Sequence, residues 1–181
     1  TQAALSEDRT AGSTSIRQEL DNLHNAGLVY GQTIYNKAPI VMDKLVELMG
    51  EEAFREGIQE YLTTYAYGNA TWDELIAILD RLTDEDLATF SDVWVNRRGM
   101  PHITLRREGN MLHIEDSDPL GRGLHWPQSF GLSVITDGGQ SKDFEVKLRG
   151  EAVTIALPST TKHIIPNSDG RGYGLFIIED S

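Results

Sequence analysis

The hydrophobic period of the chain changes once, where glycine and proline interrupt it at Gly99 and Pro101. Before that point apolar residues recur every three or four positions, the spacing that lays one helix face against a core. After it they alternate, the spacing of half-buried strands. A single switch of this kind predicts an α+β chain of two segregated domains, helical over residues 1–100 and a small antiparallel β-sandwich over residues 101–181. With 181 residues and no cysteine, either one large domain or two small ones buries enough surface to fold without disulfide or metal staples.

In the first half, Ile34, Ala38, Val41, Leu45 and Leu48 predict a largely buried helix from Thr33 to Met49, which Gly50 ends. Glu51 and Glu52 suit the positive start of a second helix, with Phe54, Ile58, Leu62 and Tyr65 as its core face. Thr71-Trp72-Asp73-Glu74 reads as a capping box opening a third, with Leu75, Ile78, Leu79 and Leu82 inward. Thr83, followed by Asp84, Glu85 and Asp86, reads as the start of a fourth, carrying Leu87, Phe90, Val93 and Trp94 into the core, where Trp94 is expected to pack. Arg97 and Arg98 complement its negative end. The first fifteen residues, mixing Ser, Thr, Gly and Ala, are the weakest candidates for order.

Beyond Pro101, Ile103 and Leu105 face Leu112 and Ile114 across the turn Glu108-Gly109-Asn110, which predicts a hairpin. Phe130, Leu132 and Val134, then Phe144, Val146 and Leu148, alternate ahead of glycine-bearing turns. Residues 151–157, 162–165 and Tyr173 to Ile178 complete about seven short strands, a spacing that suits a sandwich.

The net charge is −12, with 17 acidic against 8 basic side chains in residues 1–100 and 11 against 8 in residues 101–181. Neither half has the basic footprint of a nucleic-acid binder. No apolar run approaches the roughly 18 residues that span a bilayer, so no membrane insertion is expected, and no signal peptide is visible near Thr1.

One segment carries candidate chemistry. The run Val29-Tyr30-Gly31-Gln32-Thr33-Ile34-Tyr35-Asn36-Lys37-Ala38-Pro39 places Tyr35 at the first turn of the long helix. From spacing alone, a tyrosine packing there with its hydroxyl satisfied locally is the simpler reading. The run also resembles the Tyr-x-Lys-Gly/Ala segment of zinc aminopeptidases of the gluzincin class, the aminopeptidase N-like family. Further motifs follow in the same order: Ile16-Arg17-Gln18 with Leu20-Asp21-Asn22-Leu23, Gly50-Glu51-Glu52-Ala53-Phe54, Tyr61-Leu62 and Tyr67-Gly68-Asn69-Ala70-Thr71. Trp94, Gly99 and Pro101 are similar to the W-x4-G-x-P signature that closes the family's catalytic domain, and Pro166-Asn167 with Gly172-Tyr173-Gly174 resembles a later turn.

The resemblance implies that residues 1–100 are the helical end of a thermolysin-like peptidase domain and residues 101–181 the β-sandwich that follows it. It implies that Tyr35 hydrogen-bonds the reacting carbonyl oxygen of a peptide substrate, and a phenol is suited to that because it stays a donor at neutral pH. Tyr30 would line the same pocket, with packing or turn formation equally open. Lys37 reads as structural or as a solvated helix residue, and Ala38 stands where glycine is commoner.

The family's H-E-x-x-H motif is absent, as are its third zinc ligand and its Gly-x-Met-Glu-Asn motif. His24, His102, His113, His125 and His163 are scattered, and none is assigned as a ligand. Zinc is therefore expected in a full-length parent, held by an upstream catalytic segment, and not in this stretch, which is expected to be inactive alone. The rival reading is a non-enzymatic helical plus β-sandwich interaction module on a peptidase-derived scaffold, binding through sandwich edges or its acidic helical face.

Overall fold

A computed structural model describes residues 2–10, 13–18 and 32–179, the side chains of the last segment from residue 35 onward. The fold is α+β. The chain divides into two compact units, Thr1–Gly99 and Met100–Ser181. No helix among the described residues is long and apolar enough to cross a membrane.

The first unit is helical: α1 (Gln2–Asp8), α2 (Gln32–Met49), α3 (Glu51–Thr64), α4 (Trp72–Asp80) and α5 (Leu87–Ser91), the last widening into a π-helical turn over Asp92–Asn96. The helix α1 corrects the expectation of a poorly ordered start, since Ala4 and Asp8 within it are buried. On α2 the buried positions are Lys37, Val41, Lys44, Leu45, Leu48 and Met49. That is one face at the period of 3.6, apolar except that two lysines sit on it.

The helix α3 meets its neighbours along Phe54, Gly57, Ile58, Tyr61 and Tyr65, all buried or half-buried. Leu62, expected on that face, is 64% exposed instead, because a contact line through Gly57 and Tyr61 leaves it on the flank. Gly57 lets the helices touch: a Cβ there would lie 2.3 Å from Cδ2 of Leu79.

The capping box of α4 forms as expected. Glu74 N–H donates to Thr71 Oγ1 at 3.3 Å, and the Glu74 carboxylate accepts from Thr71 N–H at 2.7 Å. The next helix starts later than the sequence suggested. Asp86, not Thr83, caps α5 by accepting from Thr89 N–H at 2.8 Å. Thr83 Oγ1 accepts only from Glu85 N–H, at 3.3 Å, and so closes a local turn.

The second unit is a sandwich of seven strands: β1 (His102–Glu108), β2 (Met111–Ser117), β3 (Gln128–Thr136), β4 (Ser141–Leu148), β5 (Val153–Ala156), β6 (Thr161–Pro166) and β7 (Leu175–Glu179). One sheet has the order β5-β2-β1-β7 and the other β4-β3-β6. Register puts Leu105 opposite Ile114 and Phe130 opposite Val146. The alternating apolar residues meet between the sheets as a core of Ile103, Leu105, Leu112, Ile114, Phe130, Leu132, Val134, Val146 and Leu148. The pairing is antiparallel except that β7 runs parallel to β1. The chain crosses from β6 in one sheet to reach that edge in the other, so β7 is not the return arm of a hairpin.

That crossing explains the late motif. The Asn167 side chain accepts from Gly172 N–H at 2.6 Å and donates to Gly172 O at 3.1 Å. Buried Gln128 exchanges two hydrogen bonds with the backbone of buried Tyr173, at 2.8 and 2.9 Å. Gly174 has φ +147°, and a Cβ on it would lie 2.7 Å from Pro101 O. The motif is thus a turn that pins β7 against β1.

Two predictions follow from this packing. Replacing Gly57 by alanine improves helix propensity by roughly 1 kcal/mol but drives a methyl into Leu79, which is fully buried. Overpacking of this kind costs about 1–3 kcal/mol. A lowered denaturation midpoint is therefore expected for Gly57→Ala, and a raised one would refute the contact.

Asp118 supplies the second. Burial works to raise its pKa, but hydrogen bonds from the Arg122 guanidinium and from the backbone N–H groups of Leu120 and Arg122 outweigh that, holding the carboxyl at about 2. A carboxyl depressed on folding stabilises above its ordinary value and loses that contribution as pH falls toward the folded value. The gap amounts to about 2 kcal/mol, present above roughly pH 4 and lost by roughly pH 2. Urea unfolding at pH 6 and near pH 2 should show the gap between wild type and Asp118→Asn close on acidification, and a gap independent of pH would contradict this.

Candidate functional site

Tyr35 lies in the first turn of α2 and is 66% exposed. Lys37, two residues on, is 1% exposed. Two residues turn a helix by about 200°, so opposite fates for these side chains are what the geometry demands. The phenol is outside the core of this chain, so packing at a buried first turn does not describe it.

Lys37 is neither solvated nor on a free face. Its Nζ donates to Asp8 Oδ2 at 2.8 Å and to Gly99 O at 2.9 Å. The other Asp8 oxygen accepts from Ser13 Oγ at 2.9 Å, and Gly99 N–H donates to the same Ser13 Oγ at 3.0 Å. The four residues close a ring, all of them buried. Gly99 presents both its N–H and its carbonyl to the ring with φ +93°, a conformation that glycine takes at little cost and side-chain-bearing residues avoid. The glycine of the W-x4-G-x-P pattern therefore has a physical reason here. Trp94 of the same pattern is fully buried, its ring centroid 6.0 Å from that of Phe90, as a core residue.

Pro39 stands inside α2. It has no N–H to give to the carbonyl four residues back, which belongs to Tyr35, and its ring crowds that carbonyl. The first turn thus lacks one of the hydrogen bonds that normally tie a turn to the next.

Arg17 joins the segment before α2 to α4. Its guanidinium grips Asp73 with two hydrogen bonds of 2.9 Å, and its backbone N–H donates to Val95 O at 3.0 Å. The hydrogen bond from Arg17 holds the Asp73 carboxyl below the usual carboxylate range. Arg97 pairs with Asp92 at 3.0 Å, within its own helical turn.

Tyr30 and His24 lie outside the described residues. The other histidines occupy the second unit and do not converge. His113 Nδ1 contacts Thr154 Oγ1 at 3.1 Å, His125 Nδ1 contacts buried Asp116 at 3.1 Å, and His102 and His163 stand on β1 and β6. Among the described residues no group of three or more His, Cys, Asp or Glu side chains is placed to hold a metal ion. The described residues do not fit a zinc site.

Sequence reasoning singled out Tyr35 as a candidate and missed the buried partners of Lys37, Asp8 and Ser13. The signal available was the lysine at a position the helical period assigns to the buried face, which requires an anionic partner somewhere in the chain.

Comparison with known proteins matches residues 1–94 to a family model described as the Peptidase family M1 domain. The chain is 25% identical over 163 residues to Aminopeptidase M1-B of Oryza sativa subsp. japonica, covering 88% of this chain and 19% of that protein. It is 23% identical over 144 residues to Tricorn protease-interacting factor F2 of Thermoplasma volcanium, covering 77% and 18%. With Aminopeptidase N of Streptomyces lividans the identity is 29% over 97 residues, covering 54% and 11%. The chain therefore spans less than a fifth of the length of these relatives.

Proposed function

We infer function from one premise: this chain belongs to peptidase family M1. It serves, in this reading, within a longer aminopeptidase that hydrolyses amino-terminal residues from peptides. Residues 1–100 form the helical end of the thermolysin-like catalytic domain and residues 101–181 the β-sandwich domain that follows it in sequence. Zinc, which the family resemblance implies, is assigned in this reading to an upstream catalytic segment, since the sequence given carries no H-E-x-x-H motif.

Tyr35 carries the chemistry that belongs to this chain. Its exposed phenol at the start of a helix anchored on the opposite face supports the assignment. When water adds to a scissile carbonyl, negative charge gathers on the carbonyl oxygen, and a fixed O–H donor stabilises that charge more than it stabilises the ground state. A lone donor in such a position contributes roughly 2.7–4 kcal/mol to the transition state. Tyr30 lines the same pocket in this proposal.

The test is Tyr35→Phe in the longer enzyme. The expected outcome is a fall in kcat of about 10² to 10³ with zinc content unchanged. Undiminished turnover would remove the role.

A further inference from the structure

We propose that Lys37 is the positioning residue for Tyr35, acting through the buried ring it forms with Asp8, Ser13 and Gly99; this rests on the reading of Tyr35 given above.

A buried ammonium and carboxylate are an expensive way to join segments, because desolvation offsets much of their attraction. A hydrophobic pair would have held α1 against α2 equally well, but non-directionally. The ring instead fixes direction and distance. The Lys37 Nζ is held between a carboxylate oxygen at 2.8 Å and a backbone carbonyl at 2.9 Å, and both acceptors are themselves fixed by Ser13. With Lys37 held, the rotation and axial height of α2 are set two residues after Tyr35.

The first turn needs an external anchor. Pro39 withholds the helix's own hydrogen bond from the Tyr35 carbonyl and presses on it. The phenol projects from a turn whose internal tie is weakened, and its aim then depends on what grips the turn from the other side. Lys37, two residues on at the start of the next turn, is the buried charged residue nearest to Tyr35 on the helix. Its contacts lie on α1 and at Gly99, far along the chain from position 37. The ring therefore transmits the placement of the domain's closing segment to the tyrosine. A donor displaced by about 1 Å from a developing oxyanion loses on the order of 10²-fold in rate, so small movements of this turn matter.

The experiment uses the longer enzyme and a cycle of Lys37→Met, Tyr35→Phe and the double variant, read as kcat and KM separately, with Lys37→Arg beside them. The arginine keeps a cation opposite Asp8 while moving the donor head, so it reads the effect should the methionine variant, which leaves Asp8 unpaired, fail to fold. Lys37→Met, or Lys37→Arg in its place, should lower kcat by about 10- to 100-fold with KM within about twofold. In the Tyr35→Phe background the same substitution should have almost no further effect, because the donor it positions is gone. Equal losses in both backgrounds, or wild-type kcat in a folded Lys37→Arg enzyme, would overturn the positioning role while leaving Tyr35 in place. Unchanged turnover in Tyr35→Phe itself would remove the tyrosine reading, and this inference with it.

Discussion

The buried pair of Lys37 and Asp8 is the interaction on which the helical unit turns. Three stretches distant in sequence, α1, the start of α2 and Gly99, converge on it with every bond between 2.8 and 3.0 Å. Breaking such a pair from one side typically costs about 3–5 kcal/mol, because the charge left behind has no water to turn to. Its net gain over apolar packing is small. What it supplies is direction: Ser13 joins Asp8 to Gly99, and Lys37 Nζ reaches both of those residues at once from α2. Gly99, with its positive φ, is the residue that allows the closing segment to offer two backbone groups to that ring.

Anchoring on one face leaves the other exposed, as the role proposed for Tyr35 requires. Tyr35 lies half a helical circumference from Lys37, exposed where Lys37 is buried. A donor that acts on a transition state must be in place beforehand, and a helix gripped from behind meets that requirement better than a loop. The sandwich contributes no comparable cluster among its described residues. Its ionic contacts, such as Arg122 with Asp118 and Arg106 with Glu179, tie turns and strand ends together locally.

Much of the fold was legible in the sequence, because most of it follows from periodicity. The alternation of Ile103, Leu105, Leu112 and Ile114, and of Phe130, Leu132 and Val134, specified strands and their inward faces without knowledge of partners. The Thr71 capping box is local and was readable for the same reason. What escaped depends on distant contacts. The order of α1 comes from burying Ala4 and Asp8 rather than from its own composition. Leu62 misled because the contact line of α3 is set by Gly57, a residue that contributes by having no side chain. Asp86 displaced Thr83 as a cap because a carboxylate three residues before an available N–H outcompeted a hydroxyl already engaged in its own turn. The parallel placement of β7 follows from the Gln128 and Asn167 bonds, which no local pattern announces. At the site, Tyr35 stood out by its resemblance to a known motif, whereas Asp8 and Ser13 carry no motif and are recognised only as answers to the question of what neutralises a buried lysine.

Hydrolysis of a panel of amino-acid anilides by the longer enzyme, with this chain assayed beside it and zinc determined in both, tests the central claim most directly. The account predicts amino-terminal hydrolysis and bound zinc in the longer enzyme, with neither in the chain alone. A longer protein that is metal-free and inactive on every anilide would contradict it.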